Sequence, residues 1–361
     1  MRTAAVIGTG LIGTSVALAL TRRGVAVYLA DRDESTVRTA ASLGAGEIGD
    51  PPEPADLAVI AVPPAYVAAT LEDAQRRGLA ASYTDVASVK AGPQDAAAAQ
   101  GVDQQTYIGG HPLAGREISG PLGGRADLFD GRPWVLTPTA ATGRATLNRA
   151  LELISLCGAV PVVMDAADHD YAVALISHTP HLVAAIMAAR LQNASEDAAR
   201  IAGPGVRDVT RIAAGDPALW GEILSSNAAA VADVLDEYSA DLATVVGALR
   251  AMASEDGDKR SVGRADLVDL LRRGNAGQAR IPGKHGSPRA VYTSVPVVIS
   301  DAPGELARLF AAAGAVGVNI EDLRIEHSPG QPVGLVTLQV APQNAEELAA
   351  RLSERGWTVQ S

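Results

Sequence analysis

The sequence predicts an α/β chain in three parts: a parallel sheet with crossover helices, a nearly all-helical middle, and a small β-α-β-β-α-β unit at the end. Three observations lead there. Short apolar runs alternate with Ala-rich helical stretches as far as about residue 164, and strand patterns then stop until about residue 290. A segment rich in Gly, Pro and basic residues, without apolar periodicity, precedes the strands of the tail. The expected boundaries are therefore 1–164 for the sheet domain, 165–273 for the helical domain, 274–289 for a linker and 290–361 for the tail. A length of 361 residues suits two or three domains.

In the first part TAAVI (3–7), VAVYLA (25–30), LAVIAV (57–62), YTDVA (83–87), TYIGG (106–110) and WVLTP (134–138) read as strands. Residues 11–22 and 34–43 supply helical crossovers between them, which makes a parallel pattern of right-handed βαβ units. The turn after the first strand is Gly8-Thr9-Gly10-Leu11-Ile12-Gly13, and Asp31 ends the second strand 18 residues after Gly13. Strand, glycine turn, helix and acidic residue in register mark a Rossmann-type dinucleotide site. Gly8 allows the tight turn, Gly10 lets amides approach a pyrophosphate, and Gly13 permits close helix packing. Asp31 can accept from a ribose 2′-hydroxyl, which favours NAD, whereas Arg32 beside it could pair with a 2′-phosphate and leaves NADP open.

The middle part carries long Ala, Leu and Val patterns interrupted at Pro180, Gly203-Pro204 and Gly215-Asp216-Pro217. Helices this apolar need a partner for their outer stripes, so a homodimer through this region is expected. In the tail YTSVPVVIS, GELARLFAAAGAV, NIEDLRIEH, PVGLVTLQVA, AEELAARLSER and WTV follow one another as a ferredoxin-like unit.

Composition narrows the function. Forty-seven per cent hydrophobic and 20% charged residues describe a globular chain, not a disordered one. Thirty basic against 41 acidic residues give a net charge of -11, which argues against nucleic acid as a partner. The N-terminus has no separate signal-peptide core and no long uncharged apolar run follows, so neither export nor a membrane is expected. Cys157, the single cysteine, sits in an apolar setting and fits a buried thiol in the cytoplasm.

Polar residues concentrate in DVASVK (85–90), GGHPLAGRE (109–117), ISHTPH (176–181) and RDVTR (207–211). The first two lie at strand C-termini, the ligand edge of an open α/β sheet, so Ser88, Lys90 and His111 should face a bound nicotinamide. Oxidising an alcohol by hydride transfer needs a base for the hydroxyl proton, and an imidazole suits that task. Asp168, His169, His178 and His181 raise a metal reading. On a continuous helix, however, His169 and His178 would stand about 180° apart, and no metal is expected. Asp208 and Arg211 are spaced to face one cleft.

Together DVASVK, HPLAGRE, SHTPH and RDVTRIAAGDPALWGEILSSN resemble the prephenate and arogenate dehydrogenase family of tyrosine biosynthesis, over residues 1–255. The resemblance implies His111 as base on the ring hydroxyl, Ser88 as its hydrogen-bonding orienter and Glu117 as a gate at the pocket mouth. It further implies His181 and Arg211 on substrate carboxylate, Asp208 and Trp220 supporting the pocket, Arg207 adding positive charge, and dimerisation through the helical domain. Lys90 and the imidazoles could add to a positive patch for a dianionic substrate. The tail separately resembles an ACT domain through Asp301, Pro303, Gly304 and Leu306, then Asn319 and Ile320, which implies an amino-acid effector, tyrosine by the logic of end-product control.

Two other readings compete. A β-hydroxyacid dehydrogenase would need a lysine in the helical domain, and lysine occurs only at 90, 259 and 284. A non-catalytic amino-acid sensor would leave the set His111, Ser88 and Arg211 without a purpose. The residues alone do not choose between prephenate and arogenate.

Overall fold

The computed structural model describes residues 1–116, 118–281, 291–327 and 333–360. By its internal contacts the chain forms two compact units, one of residues 1–202 and 206–247, the other of residues 203–205 and 248–361.

The first unit is built on an eight-stranded sheet: β1 (Thr3–Ile7), β2 (Ala26–Ala30), β3 (Glu47–Ile48), β4 (Leu57–Ile60), β5 (Tyr83–Asp85), β6 (Tyr107–Pro112), β7 (Pro133–Thr137) and β8 (Val160–Val163). They lie in the order β3-β2-β1-β4-β5-β6-β7-β8. The order reverses between β1 and β4, the switch point at which such sheets bind ligands. Strands β1 to β6 are mutually parallel, as their helical crossovers require. β4 is buried along its whole length, as a strand covered on both faces should be. Val16 and Leu20 of helix Leu11–Arg22 close one face of the sheet, and Val67 and Leu71 of helix Val67–Arg76 close the other. Each fully buried leucine contributes about 1.5–3 kcal/mol.

The expectation of a uniformly parallel sheet fails at β7, which runs antiparallel to β6 with His111 opposite Val135. Residues 113–132 contain Gly115, Gly120, Gly123, Gly124 and Pro121, and apart from a short turn at Pro121–Gly123 they show no helix among the described residues. Without a crossover helix the chain returns alongside the strand it has just left. β8, parallel to β7 after helix Arg144–Leu156, and the two-residue β3 were too short or too exposed to stand out in the pattern.

The helical run 166–191 reaches the length and apolarity of a membrane span. It instead carries His169, Asp170, His178 and His181, all buried. It is not one regular helix: Ala166–Val173 passes into a π-turn at Ala174–His178 and then into Thr179–Leu191. Pro180 cannot donate to the carbonyl of Ile176 and its ring would crowd that oxygen, and the wider turn relieves both problems.

In the second unit helix Gly257–Ala279 continues through the first six positions of the stretch read as a linker, because GNAGQA contains no proline to stop it. Residues 282–289 of that stretch, and Ala290 after it, lie outside the described residues. The tail forms β9 (Thr293–Ser300), helix Glu305–Gly314, β10 (Asp322–His327), β11 (Val333–Val340), helix Pro342–Glu354 and β12 (Thr358–Val359). Its antiparallel sheet has the order β10-β11-β9-β12. Alternate residues Val295, Val297 and Ile299 of β9, with Val336, Leu338 and Val340 of β11, bury against Leu309, Leu348 and Leu352 of the two helices.

Candidate active site

Parallel strands present their C-termini at one edge, and three segments meet there. At the end of β1, Gly8 has φ +98°, and a Cβ at this position would lie 2.4 Å from the Ala61 carbonyl oxygen. A Cβ on Gly13 would lie 1.9 Å from the Gly8 oxygen, so helix Leu11–Arg22 can sit this close only with glycine there. Gly10 is different. Its Cβ would meet nothing within 4 Å, and no side chain caps the helix it opens. The turn is an amide-lined space at a helix N-terminus, and it fits a pyrophosphate. Asp31 follows β2 directly and accepts from the Thr9 amide (2.6 Å) and hydroxyl (3.0 Å). The Arg32 guanidinium lies 5.6 Å from the centre of the Tyr66 ring.

The segment after β5 is held by a buried charge cluster. Lys90 is fully buried, donating to Asp85 and, at 2.6 Å, to the Gly110 carbonyl. The Tyr107 hydroxyl donates to the other oxygen of Asp85 at 2.7 Å. Burial pulls the Lys90 ammonium below its usual range while Asp85 opposes the shift. Lys90 thus clamps the 85–90 loop to the backbone just before His111 and does not join a substrate-facing positive patch, as the sequence had suggested. Gly109 and Gly110 let the strands approach, since a Cβ on Gly110 would lie 2.6 Å from the Asp85 carbonyl oxygen.

His111 lines a cavity of about 370 Å³ that also takes in Ser88, Ser177, His178 and Trp220. Its Nδ1 lies 2.8 Å from Nε2 of His169, whose Nδ1 lies 2.7 Å from Asp170. Asp170 also accepts from the amides of Lys90 (2.7 Å) and Ala91 (2.9 Å), which open helix Ala91–Ala99. Burial opposes its charge, but the bonds from His169 and the two amides outweigh that and hold its carboxyl below the usual range. The chain of bonds fixes the tautomers. An ionised Asp170 only accepts, so His169 carries its proton on Nδ1 and accepts on Nε2. His111 therefore carries its proton on Nδ1, and its Nε2 keeps a free lone pair. Burial, then the charge of Lys90, then His169 and His178, hold the His111 imidazole well below its usual pKa and hence neutral. A neutral imidazole in a mostly apolar cavity at the ligand edge of a Rossmann-type sheet is equipped to take a proton.

Two family models divide most of the chain between them: the prephenate dehydrogenase nucleotide-binding domain over residues 16–163 and the prephenate dehydrogenase dimerization domain over residues 165–268. The chain belongs to the prephenate dehydrogenase family. Among its relatives, a probable prephenate dehydrogenase, NovF, of Streptomyces niveus is 44% identical, the match covering 100% of both chains. A cyclohexadienyl dehydrogenase of Zymomonas mobilis is 34% identical over 70% of this chain and 89% of its own length. The crystal structure of Synechocystis arogenate dehydrogenase superposes with a TM-score of 0.66 at 29% identity, covering 76% of this chain and 98% of that one. Like the family it joins, the chain is a dehydrogenase with an NAD-binding domain.

In this prephenate dehydrogenase family member Ser88 lines the His111 cavity, but the bond that orients the imidazole comes from His169. Among the described residues Ser88 makes no bond to the ring, and its expected role beside His111 belongs to the proposal below. His181 stacks on Trp220 with ring centroids 3.6 Å apart and planes 10° from parallel, and Gly215 leaves room for the pair. A Cβ on Gly215 would lie 2.4 Å from Trp220 Nε1. Arg207, Asp208 and Arg211 are exposed and do not line the cavity; Arg211 opens a short 3-10 turn that packs on helix Thr179–Leu191. Glu117, expected as a gate, lies outside the described residues. In the tail Asp301, Pro303 and Gly304 line a second cavity of about 260 Å³, whereas Asn319, which donates to Glu321, and Ile320 do not.

Sequence reasoning gave no role at the base to His169, Asp170 and His178. It placed His169 and His178 on opposite sides of a straight helix. The π-turn between them breaks that geometry, so that His169 bonds to His111 while His178 lines the same cavity, and Asn227 bridges the Asp170 carbonyl (2.8 Å) and His178 (3.2 Å). The readable signal was Pro180, four residues after Ile176.

Proposed function

We propose that this chain catalyses the NAD-dependent oxidative decarboxylation of prephenate to 4-hydroxyphenylpyruvate, a step of tyrosine biosynthesis in the cytoplasm, as a homodimer. The observation that carries the reading is the neutral His111 imidazole, basic at Nε2, at the sheet edge where the glycine turn opens. The full-length relative named as a probable prephenate dehydrogenase supports the choice of substrate. The Gly8–Gly13 turn and Asp31 would hold NAD, which would supply the acceptor for the hydride of the carbon bearing the ring hydroxyl. His111 takes the hydroxyl proton, and the electron-poor centre that results draws the electrons of the ring carbon–carboxylate bond. Carbon dioxide leaves, the ring becomes aromatic, and the proton returns to the phenolic oxygen. Ser88 lies beside His111 in the cavity, with His181 and Trp220 forming a stacked wall. By resemblance His181 and Arg211 are assigned to substrate carboxylate, Arg207 to added positive charge, Asp208 to support of the pocket and Glu117 to its mouth.

Exposed Ile186, Met187 and Leu191 on one helix and Leu242 on another supply apolar surface for a second copy of the chain, in keeping with the dimerization-domain match. For the tail the reading is an ACT regulatory module, supported by its β-α-β-β-α-β order and by the cavity at Asp301–Leu306, with tyrosine as effector.

The similarity to an arogenate dehydrogenase structure favours arogenate as the second reading. Side-by-side turnover of prephenate and arogenate with NAD and NADP decides between them. The expected result is nicotinamide reduction with prephenate and NAD, with 4-hydroxyphenylpyruvate as product; reduction with arogenate alone would replace the substrate assignment.

A further inference from the structure

Of the residues lining the His111 cavity, Arg132 alone carries a permanent charge. Sequence reasoning passed over it, because it lies in a Gly-Arg-Pro entry to a strand and outside every polar segment. The backbone fixes its place. Its amide donates to the Phe129 carbonyl and its own carbonyl accepts from Val160, both at 2.9 Å. The next residue, Pro133, accepts from the amide of Leu113 at 2.9 Å, which ties this corner to the chain two residues beyond His111. The side chain is exposed, and no acidic group among the described residues pairs with its guanidinium. The cavity wall around it is largely apolar, with Leu113, Val173, Ile176 and Ile223, which strengthens any ion pair made there. Lys90, the other cation close to His111, is already committed to Asp85.

We propose that Arg132 is a substrate-binding residue that holds the side-chain carboxylate of the substrate, the one that survives the reaction. This rests on the prephenate reading above. With the ring hydroxyl at His111, both carboxylates point away from the base, and the exposed rim of the cavity receives the longer pyruvyl arm. The chemistry separates the two carboxylates. A cation on the ring carboxylate, the role this leaves to Arg211, loses its ion pair as carbon dioxide departs and so acts on kcat as well as KM. A cation on the pyruvyl carboxylate binds ground state and transition state alike, and so acts on KM.

The test is Arg132→Gln beside Arg132→Lys in steady-state kinetics, with NAD affinity as the control for folding. Arg132→Gln should raise KM for prephenate about tenfold or more with kcat within a few-fold of wild type, and weaken product inhibition by 4-hydroxyphenylpyruvate by a similar factor. Arg132→Lys should recover part of both losses. Unchanged KM in Arg132→Gln overturns the proposal, and a raised KM with unchanged product inhibition overturns the assignment to the side-chain carboxylate. Wild-type enzyme that reduces no NAD with prephenate overturns the reaction itself, and this subsite with it.

Discussion

On the proposed mechanism, the chain of bonds from Asp170 through His169 to His111 makes the base a property of three residues on two distant stretches of chain. Asp170→Asn removes the obligate acceptor, so the His169 tautomer is no longer fixed and the lone pair on His111 is no longer guaranteed. kcat should fall about 10- to 100-fold with little change in KM, checked by steady-state kinetics on protein whose folding is verified by denaturation. The pH dependence follows from the shift of His111. Its pKa is depressed in the folded chain, so it stays neutral on lowering the pH past 6.5, its ordinary value, and charges only well below it. The acid limb of kcat/KM should therefore lie below pH 6.5. For the same group the unfolded chain takes up its proton first, so the stability that depends on a neutral His111 is present above about pH 6.5 and is lost as the pH falls toward the folded pKa. Lys90→Met should leave Asp85 buried without its cation and cost about 3–5 kcal/mol in a denaturant titration. At this scale the position of His111 at a cavity on the sheet edge was legible, because a histidine after Gly-Gly at a strand end is a local signal. Its partners were not, because a hydrogen bond between residues 58 apart leaves no trace in spacing.

At the scale of elements, the glycine turn separates two jobs that a sequence motif merges. Gly13→Ala forces a Cβ into the Gly8 carbonyl and should destabilise the sheet unit and lower NAD affinity together. Gly10→Ala meets no protein atom, so it should leave the melting temperature nearly unchanged while weakening NAD binding, because its methyl group occupies the space the pyrophosphate needs. Calorimetric unfolding and NAD titration of both variants check this. The motif and Asp31 were readable because a dinucleotide turn is local in sequence. The reversal of β7 and the π-turn before Pro180 were harder, since each answers to a packing demand that the apolar pattern does not encode: a missing crossover helix in one case, a crowded carbonyl in the other.

For the whole molecule, the proposed catalytic residues lie in the first compact unit and the tail in the second; on the proposed regulatory reading, tyrosine should inhibit the full chain, and truncation after residue 285 should leave an active dehydrogenase that tyrosine does not inhibit. Inhibition curves for full-length and truncated enzyme check this. The succession of parallel sheet, helices and a small β-α-β-β-α-β unit was legible from the switch between strand and helix periodicity, whereas the contacts group the chain into two units. Of the expected positive patch, Lys90 was misplaced, because the fold buries it against Asp85. The most direct test of a dehydrogenase site centred on His111 is the turnover of His111→Asn with prephenate and saturating NAD, measured beside its NAD dissociation constant. kcat should fall about 100-fold or more while NAD affinity stays close to that of the wild type; turnover near the wild-type rate would contradict a base at His111.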